Sequence, residues 1–203
     1  YASVIAQLIM ALLSIYYLLV KTTFSLKVSL TLNKEIKTFS LMILNLFVRT
    51  LALNITLYYA SAFSTSYGKE YIAAYTIAIN LWFLGAFIID GYSSAGNILS
   101  GKLFGQENYQ ALLRLSSKLI KYGIILGISM AIIGGLFYEI IGTVFTKDPK
   151  VLHEFYQVFW IILLMQPLCA LAFIFDGVFK GLGKMKYLRN VLLFSTFMVF
   201  LPL

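Results

Sequence analysis

Charge is scarce in this chain, and so are the residues from which enzymes commonly build their chemistry. Only 12% of its 203 residues are charged, where a soluble domain carries about a quarter. There is one cysteine, Cys169, and one histidine, His153. The lone cysteine excludes an intramolecular disulfide or a cysteine-based metal cluster built from these residues. The lone histidine falls in a predicted loop, so neither a zinc site of the His-Glu-x-x-His kind nor a histidine-dependent triad can be assembled. No basic n-region or small-residue cleavage site marks a signal peptide. The net charge of +8 might suggest a nucleic-acid partner in a soluble protein. Here no Lys/Arg run interleaves with aromatics, so a nucleic acid is not expected.

What the chain does have is apolar residues, 61% of the total, in recurrent runs of about eighteen or more. The expected fold is all-α: a polytopic bundle of about six membrane-spanning helices. The spans are read as Tyr1 to about Val20, Phe39 to Phe63, Tyr71 to about Gly101, Lys118 to Phe145, Glu154 to about Phe179, and a last one from near Asn190. Polar stretches separate them: Lys21 to Thr38, Ser64 to Glu70, Lys102 to Ser117, Thr146 to His153, and the segment after Gly181-Leu182-Gly183. The Lys102–Ser117 stretch could be partly helical along the surface. The chain begins and stops inside apolar runs, and a piece of a longer polytopic protein is expected.

The basic residues alternate between connections. Lys21, Lys27, Lys34 and Lys37, then Lys102, Arg114, Lys118 and Lys121, then Lys180, Lys184, Lys186 and Arg189 fall on one side, twelve in all. Lys69, Lys147 and Lys150 fall on the other. The bias predicts that the twelve-charge side is cytoplasmic.

Polar groups inside spans are costly and are candidates for function. Arg49 lies twelve residues beyond Lys37, roughly 18 Å along a helix. Asn45, Arg49 and Thr56 stand at i, i+4 and i+11 on one helical face. Asp90, Ser94, Asn97 and Gly101 form a second stripe, small and polar, expected to face the bundle interior or a water-filled cavity. Asp90 is read either as a substrate- or ion-binding carboxylate or as the fixed partner of Arg49, and a pairing of the two is expected in at least one state. Asp176 has Lys180 one turn on, the favourable order for a helical ion pair, so a structural role competes with a functional one. Glu139 lies near an outer helix end and can snorkel. Pro167 predicts a kink, with Gln166 a possible partner for the freed carbonyl. Gly123 and Gly127 have the spacing of close helix contact. Tyr58, Tyr59, Tyr71 and Tyr187 suit interface anchors.

The segment Asp90-Gly91-Tyr92-Ser93-Ser94-Ala95-Gly96-Asn97-Ile98-Leu99-Ser100-Gly101, followed by Gly105, resembles the Asp-Gly-aromatic-Ala segment ending in Gly-x-x-x-Gly of the multidrug and toxic compound extrusion (MATE) family, in its DinF-like branch. Phe175-Asp176-Gly177, Gly181, Gly183, Arg189-Asn190 and Phe200-Leu201-Pro202 resemble a later helix pair of that branch, and Arg49-Thr50-Leu51 suits the start of its second lobe. The resemblance runs from about Leu41 to Leu203. It implies a transporter of two six-helix lobes, of which this chain would supply roughly helices six to eleven. Residues 1–32 would be the last helix of the N-terminal lobe with the start of a cytoplasmic joining loop, and 33–203 an incomplete C-terminal lobe. Asn97 departs from the Glu that this branch often carries seven residues after the Asp-Gly aspartate.

The resemblance implies a cation-coupled antiporter, driven by protons or sodium with no cofactor beyond the coupling ion. It would export organic, often cationic, compounds by alternating access, as a multi-pass protein of the plasma (cytoplasmic or inner) membrane. The expected partners are a small organic substrate, membrane lipid and the N-terminal lobe of the same chain. The site residues it would use are drawn from Asp90, Arg49, Asn97, Asn45, Asp176 and Gln166. A lipid-linked oligosaccharide flippase of the same superfamily is the alternative. It would want a basic cavity for a pyrophosphate, with Arg49 left free of a neutralising Asp90. A membrane enzyme is less favoured, since no nucleophile and base cluster at an interface.

Overall fold

The computed structural model describes residues 2–21 and 34–202. Among the described residues there is no strand. Seven α-helices follow in order: α1 (Ala2–Lys21), α2 (Lys34–Ser66), α3 (Lys69–Gly105), α4 (Tyr109–Leu136), α5 (Tyr138–Phe145), α6 (Pro149–Gly181) and α7 (Met185–Phe194). α7 continues into a π-helical stretch, Ser195–Phe200. Helices α1, α2, α3, α4 and α6 are long and apolar enough to cross a membrane, so the chain is an all-α, multi-pass membrane protein. Most of the expected joining loop, residues 22–33, lies outside the described residues.

The chain divides into two compact units, Tyr1–Lys37 and Thr38–Leu203. Within the first, α1 exposes its apolar side chains along its length, as a helix does when lipid is its solvent. The second unit is organised around α6. α3 runs beside it in the same direction, and Ala74 and Ala78 pack with Phe155, Phe159 and Leu163. Lower down, the two backbones meet through small residues. Ser93 Oγ donates to the Phe173 carbonyl at 2.5 Å, a methyl on Gly177 would strike Ser93, and a methyl on Gly101 would come within 3.2 Å of the Gly181 carbonyl. α4 runs against α6 in the opposite direction. A Cβ on Gly123 would overlap Ile174, and one on Gly127 would lie 2.7 Å from Pro167 Cα. The spacing of the two glycines is thus a packing seam, as the sequence predicts. Without a hydrophobic drive between helices in lipid, such close backbone approach and interhelical hydrogen bonds hold the bundle.

Three boundaries differ from the sequence expectation. The stretch read as a loop from Thr146 to His153 is helical from Pro149 onward. Asp148 is the cap, its Oδ1 accepting from the Lys150 N–H at 3.0 Å, and Pro149 occupies the first turn, where its missing N–H costs nothing. His153 therefore sits on α6. The span read as Lys118 to Phe145 begins earlier and is interrupted at Phe137, between α4 and α5. Gly134 and Gly135, poor helix formers, lie in the last turn before the break. The final segment starts at Met185 and passes from α- to π-helix; over the described residues it is not among the helices long enough to span. The turn before it is a glycine cap. Gly183 has φ +69°, and the Lys184 N–H reaches back to the Phe179 carbonyl at 2.9 Å, the closure of a Schellman turn.

Candidate functional site

Arg49 pairs with Asp176, not with Asp90. The Arg49 Nη2 to Asp176 Oδ1 distance is 2.7 Å, and Lys180 Nζ reaches the other oxygen, Oδ2, at 2.5 Å. The Asp176–Lys180 pair read from the i, i+4 spacing is therefore present, with a third member from α2. The Arg49–Asp90 pair expected in at least one state is not made in this one, for a geometric reason. α3 packs through Ile89, Ser93, Gly96 and Ser100, all buried. Asp90 is one residue round from that line, about 100° away on a helix. It is only partly buried, and among the described residues no hydrogen bond or ion pair engages its carboxylate.

The expected α3 stripe divides in the same way. Gly101 faces the Gly181 backbone, while Asn97 is partly buried and Ser94 exposed. The α2 stripe holds together as one polar face. Asn45 Oδ1 accepts from Arg189 Nη1 at 2.7 Å, Arg49 binds Asp176, and the Thr56 and Thr196 hydroxyls lie 3.3 Å apart. Arg189 also donates to Asn190 Oδ1 from Nε and Nη2 at 3.1 and 2.8 Å.

Gln166 is buried. It does not turn back to the carbonyl that Pro167 leaves free. Its amide lies against Gly85 and Met130, and Oε1 has no hydrogen-bond partner among the described residues. A Cβ on Gly85 would lie 2.9 Å from that oxygen, so the glycine makes room for the amide.

A cavity of 640 Å³ opens between α2, α3, α6 and the α7/π-helical segment. Its walls are aromatic and aliphatic: Tyr67, Tyr71, Tyr75 and Trp82 come from α3 and the turn before it, Phe63 from α2, and Ile161 and Met165 from α6. Thr56 and Thr196 supply polar groups to the lining, and Glu154 is the only charged residue among those that line it. The volume is that of a drug-sized ligand site, and apolar walls with a few polar groups are the usual make-up of one. Of the residues singled out from sequence as site candidates, Asp90, Arg49, Asn97, Asn45, Asp176 and Gln166, none lines this cavity. The sequence signal for its wall is the aromatic spacing: Tyr71, Tyr75 and Trp82 stand at i, i+4 and i+11 on α3. Glu154 was read as the first residue of a span, and its position inside α6 is what brings it into the cavity lining.

The MatE family profile matches residues 42–203. Among relatives in Arabidopsis thaliana, Protein DETOXIFICATION 42 is 30% identical over 142 residues, covering 70% of this chain and 28% of that protein. The chloroplastic Protein DETOXIFICATION 45 is 28% identical over 159 residues, 76% of this chain and 28% of that protein. The chain thus spans little more than a quarter of the length of these curated relatives. A solved structure, described as the outward-facing conformation of a multidrug resistance MATE family transporter of the MOP superfamily, superposes with a TM-score of 0.84 at 20% identity, over 98% of this chain and 46% of that one.

Proposed function

We propose that this chain, which belongs to the MatE family, forms part of the pathway of a membrane transporter that exports organic, often cationic, compounds. The observation that carries this reading is the cavity between α2, α3, α6 and α7. Its aromatic walls and its single charge, Glu154, suit a flat or amphipathic ligand with a positive group. A cation over a Trp or Tyr face gains about 0.5–2 kcal/mol, and the carboxylate in the lining adds long-range attraction in a low-dielectric setting. The name DETOXIFICATION carried by the relatives and the multidrug description of the structural neighbour support the same class of substrate. A flippase for an anionic pyrophosphate is less well supported: the cavity has no basic lining, and the charge of Arg49 is answered by Asp176.

In this reading the chain contributes one lobe, and export by alternating access takes place against a second lobe of the same protein. Coupling to protons or sodium falls to Asp90, a partly buried carboxylate within α3 with no partner of its own among the described residues. The proposed location is the plasma membrane, although one of the relatives named above is chloroplastic.

The test is a fluorescence titration of the purified full-length protein with ethidium and with a neutral aromatic of similar size. Glu154→Gln is expected to weaken ethidium binding about fivefold and leave the neutral compound unchanged. Trp82→Ala is expected to weaken both. Parental affinity for both ligands in both variants would remove the cavity as the binding site.

A further inference from the structure

α2 is attached to the rest of its unit differently from α3, α4 and α6. Of its described residues only Ala52 is buried, whereas α3 and α6 bury continuous lines of side chains against one another. What fixes α2 is a ladder of polar contacts along one face: Asn45 to Arg189, Arg49 to Asp176, and Thr56 to Thr196. A helix held by close packing of glycines against backbone is not easily displaced, because a packed seam is bistable at best and not continuously deformable. Polar rungs can be released and remade, provided no charge is stranded when they open.

The middle rung is the one where stranding matters, and it is built with a spare. Asp176 presents Oδ1 to Arg49 and Oδ2 to Lys180. Arg49 comes from α2, while Lys180 lies one turn along the same helix as Asp176 and travels with it. A carboxylate whose side chain is only 10% exposed could not lose its only counter-charge without a large penalty. This one keeps Lys180 when Arg49 goes. The departing guanidinium is itself 24% exposed, so it is less enclosed than the carboxylate it leaves. α2 also supplies one wall of the cavity through Leu53, Thr56, Leu57 and Phe63, so the third rung of the ladder, Thr56 to Thr196, lies in the cavity lining.

We infer that Lys180 is a resident counter-charge, which keeps Asp176 neutralised while Arg49 and α2 withdraw from α6, and that α2 is thereby the movable wall of the cavity. The inference adds to the transport reading a moving part and rests on that reading only for its purpose, not for the motion. Lys180 is a positioning residue in this scheme and need not touch a substrate.

The test uses the full-length protein in liposomes, with Cys169 and any other thiol replaced and Ala52→Cys introduced, at the one described α2 position that is buried and lies outside the cavity lining. The rate at which a water-soluble maleimide labels position 52 reports how often the ladder opens. Lys180→Gln removes the spare, so opening must then strand Asp176; the labelling rate is expected to fall on the order of tenfold. Lys180→Arg keeps the charge and is expected to hold the parental rate. A Lys180→Gln rate equal to or above the parental one overturns the inference, whatever happens to export. Where Lys180→Gln does not fold, Lys180→Arg decides: a rate changed tenfold overturns the inference, and an unchanged rate supports it. Ethidium efflux measured in the same liposomes separates the two readings. Labelling that responds to Lys180→Gln with no efflux in the parent leaves the movable wall standing and removes the transporter reading.

Discussion

A methyl group added to Gly127 tests the seam against which α2 is proposed to move. An ideal Cβ there would lie 2.7 Å from Pro167 Cα, 2.9 Å from the Gln166 carbonyl oxygen and 3.0 Å from Pro167 N. Carbon atoms in good contact sit about 3.5–4.0 Å apart, so α4 and α6 must separate by roughly 1 Å. The obstacles are all backbone, and two of them, Cα and N, belong to a proline ring whose φ is fixed, so no rotamer change relieves them. Gly127→Ala is therefore expected at the upper end of the overpacking range, about 2–3 kcal/mol. Two neighbours calibrate it. At Gly123 the obstacle is the tip of the Ile174 side chain, which can turn, so Gly123→Ala is expected to cost about 1 kcal/mol. At Gly135 the nearest atoms, on Leu163 and Trp160, are 3.7 and 3.8 Å away, an ordinary contact. Gly135→Ala should change stability by no more than about 0.5 kcal/mol. The assay is the temperature at which the monodisperse full-length protein is lost on size exclusion after heating. The expected order of melting is Gly135→Ala at the parental value, then Gly123→Ala, then Gly127→Ala lowest. Gly127→Ala melting with the parent would refute the close backbone approach.

Three further outcomes follow from the site. Asp176→Asn leaves Arg49 and Lys180 together without an anion and is expected to destabilise by about 3–5 kcal/mol, whereas Arg49→Met leaves Asp176 with Lys180 and should cost less than half as much; equal losses in thermal melting would show that the two cations do not share the carboxylate. Asp90→Asn is expected to preserve melting temperature and ethidium binding while abolishing gradient-driven efflux from liposomes, and efflux at the parental rate under both proton and sodium gradients would take Asp90 out of the coupling step. Cysteines introduced as Tyr67→Cys and Lys184→Cys in a Cys169→Ala background should label from opposite sides of the membrane, as the distribution of basic residues requires; labelling of both from one side would overturn the topology.

The helices were legible because their signal is one of length and composition, which tertiary contacts do not alter. Their ends were less so. Asp148-Pro149 reads equally as a loop breaker and as a cap followed by a first-turn proline, and only the bond from the Lys150 N–H to Asp148 decides. The polar face of α2 was legible for a similar reason: Asn45, Arg49 and Thr56 share a face by spacing alone, and all three make the contacts that hold that helix. The partner of Arg49 was not. Asp90 and Asp176 are both acidic groups set within apolar helices, and the choice between them depends on which face of α3 meets α6. That face is set by Ile89, Ser93, Gly96 and Ser100, an isoleucine and three small residues that look ordinary beside an aspartate. The cavity lay beyond the sequence reading because it is made where four elements stand apart, and a gap leaves no mark on any one of them.

The order in which the chain is made gives the Arg49–Asp176 bridge a further consequence. Arg49 leaves the ribosome with α2, and its partner on α6 follows only after α3, α4 and α5 have been synthesised. During that interval an arginine deep in an apolar segment faces lipid or the insertion machinery alone, at an expense of about 2.5–3.5 kcal/mol on the scale of translocon-mediated insertion. The Leu, Ile and Phe residues that α2 turns outward are what carry it into the bilayer against that expense. Their apolar surface therefore serves biogenesis as well as the finished bundle. Polar substitutions on the outer face of α2, far from any ligand, should lower the yield of inserted protein before they disturb the protein that does insert.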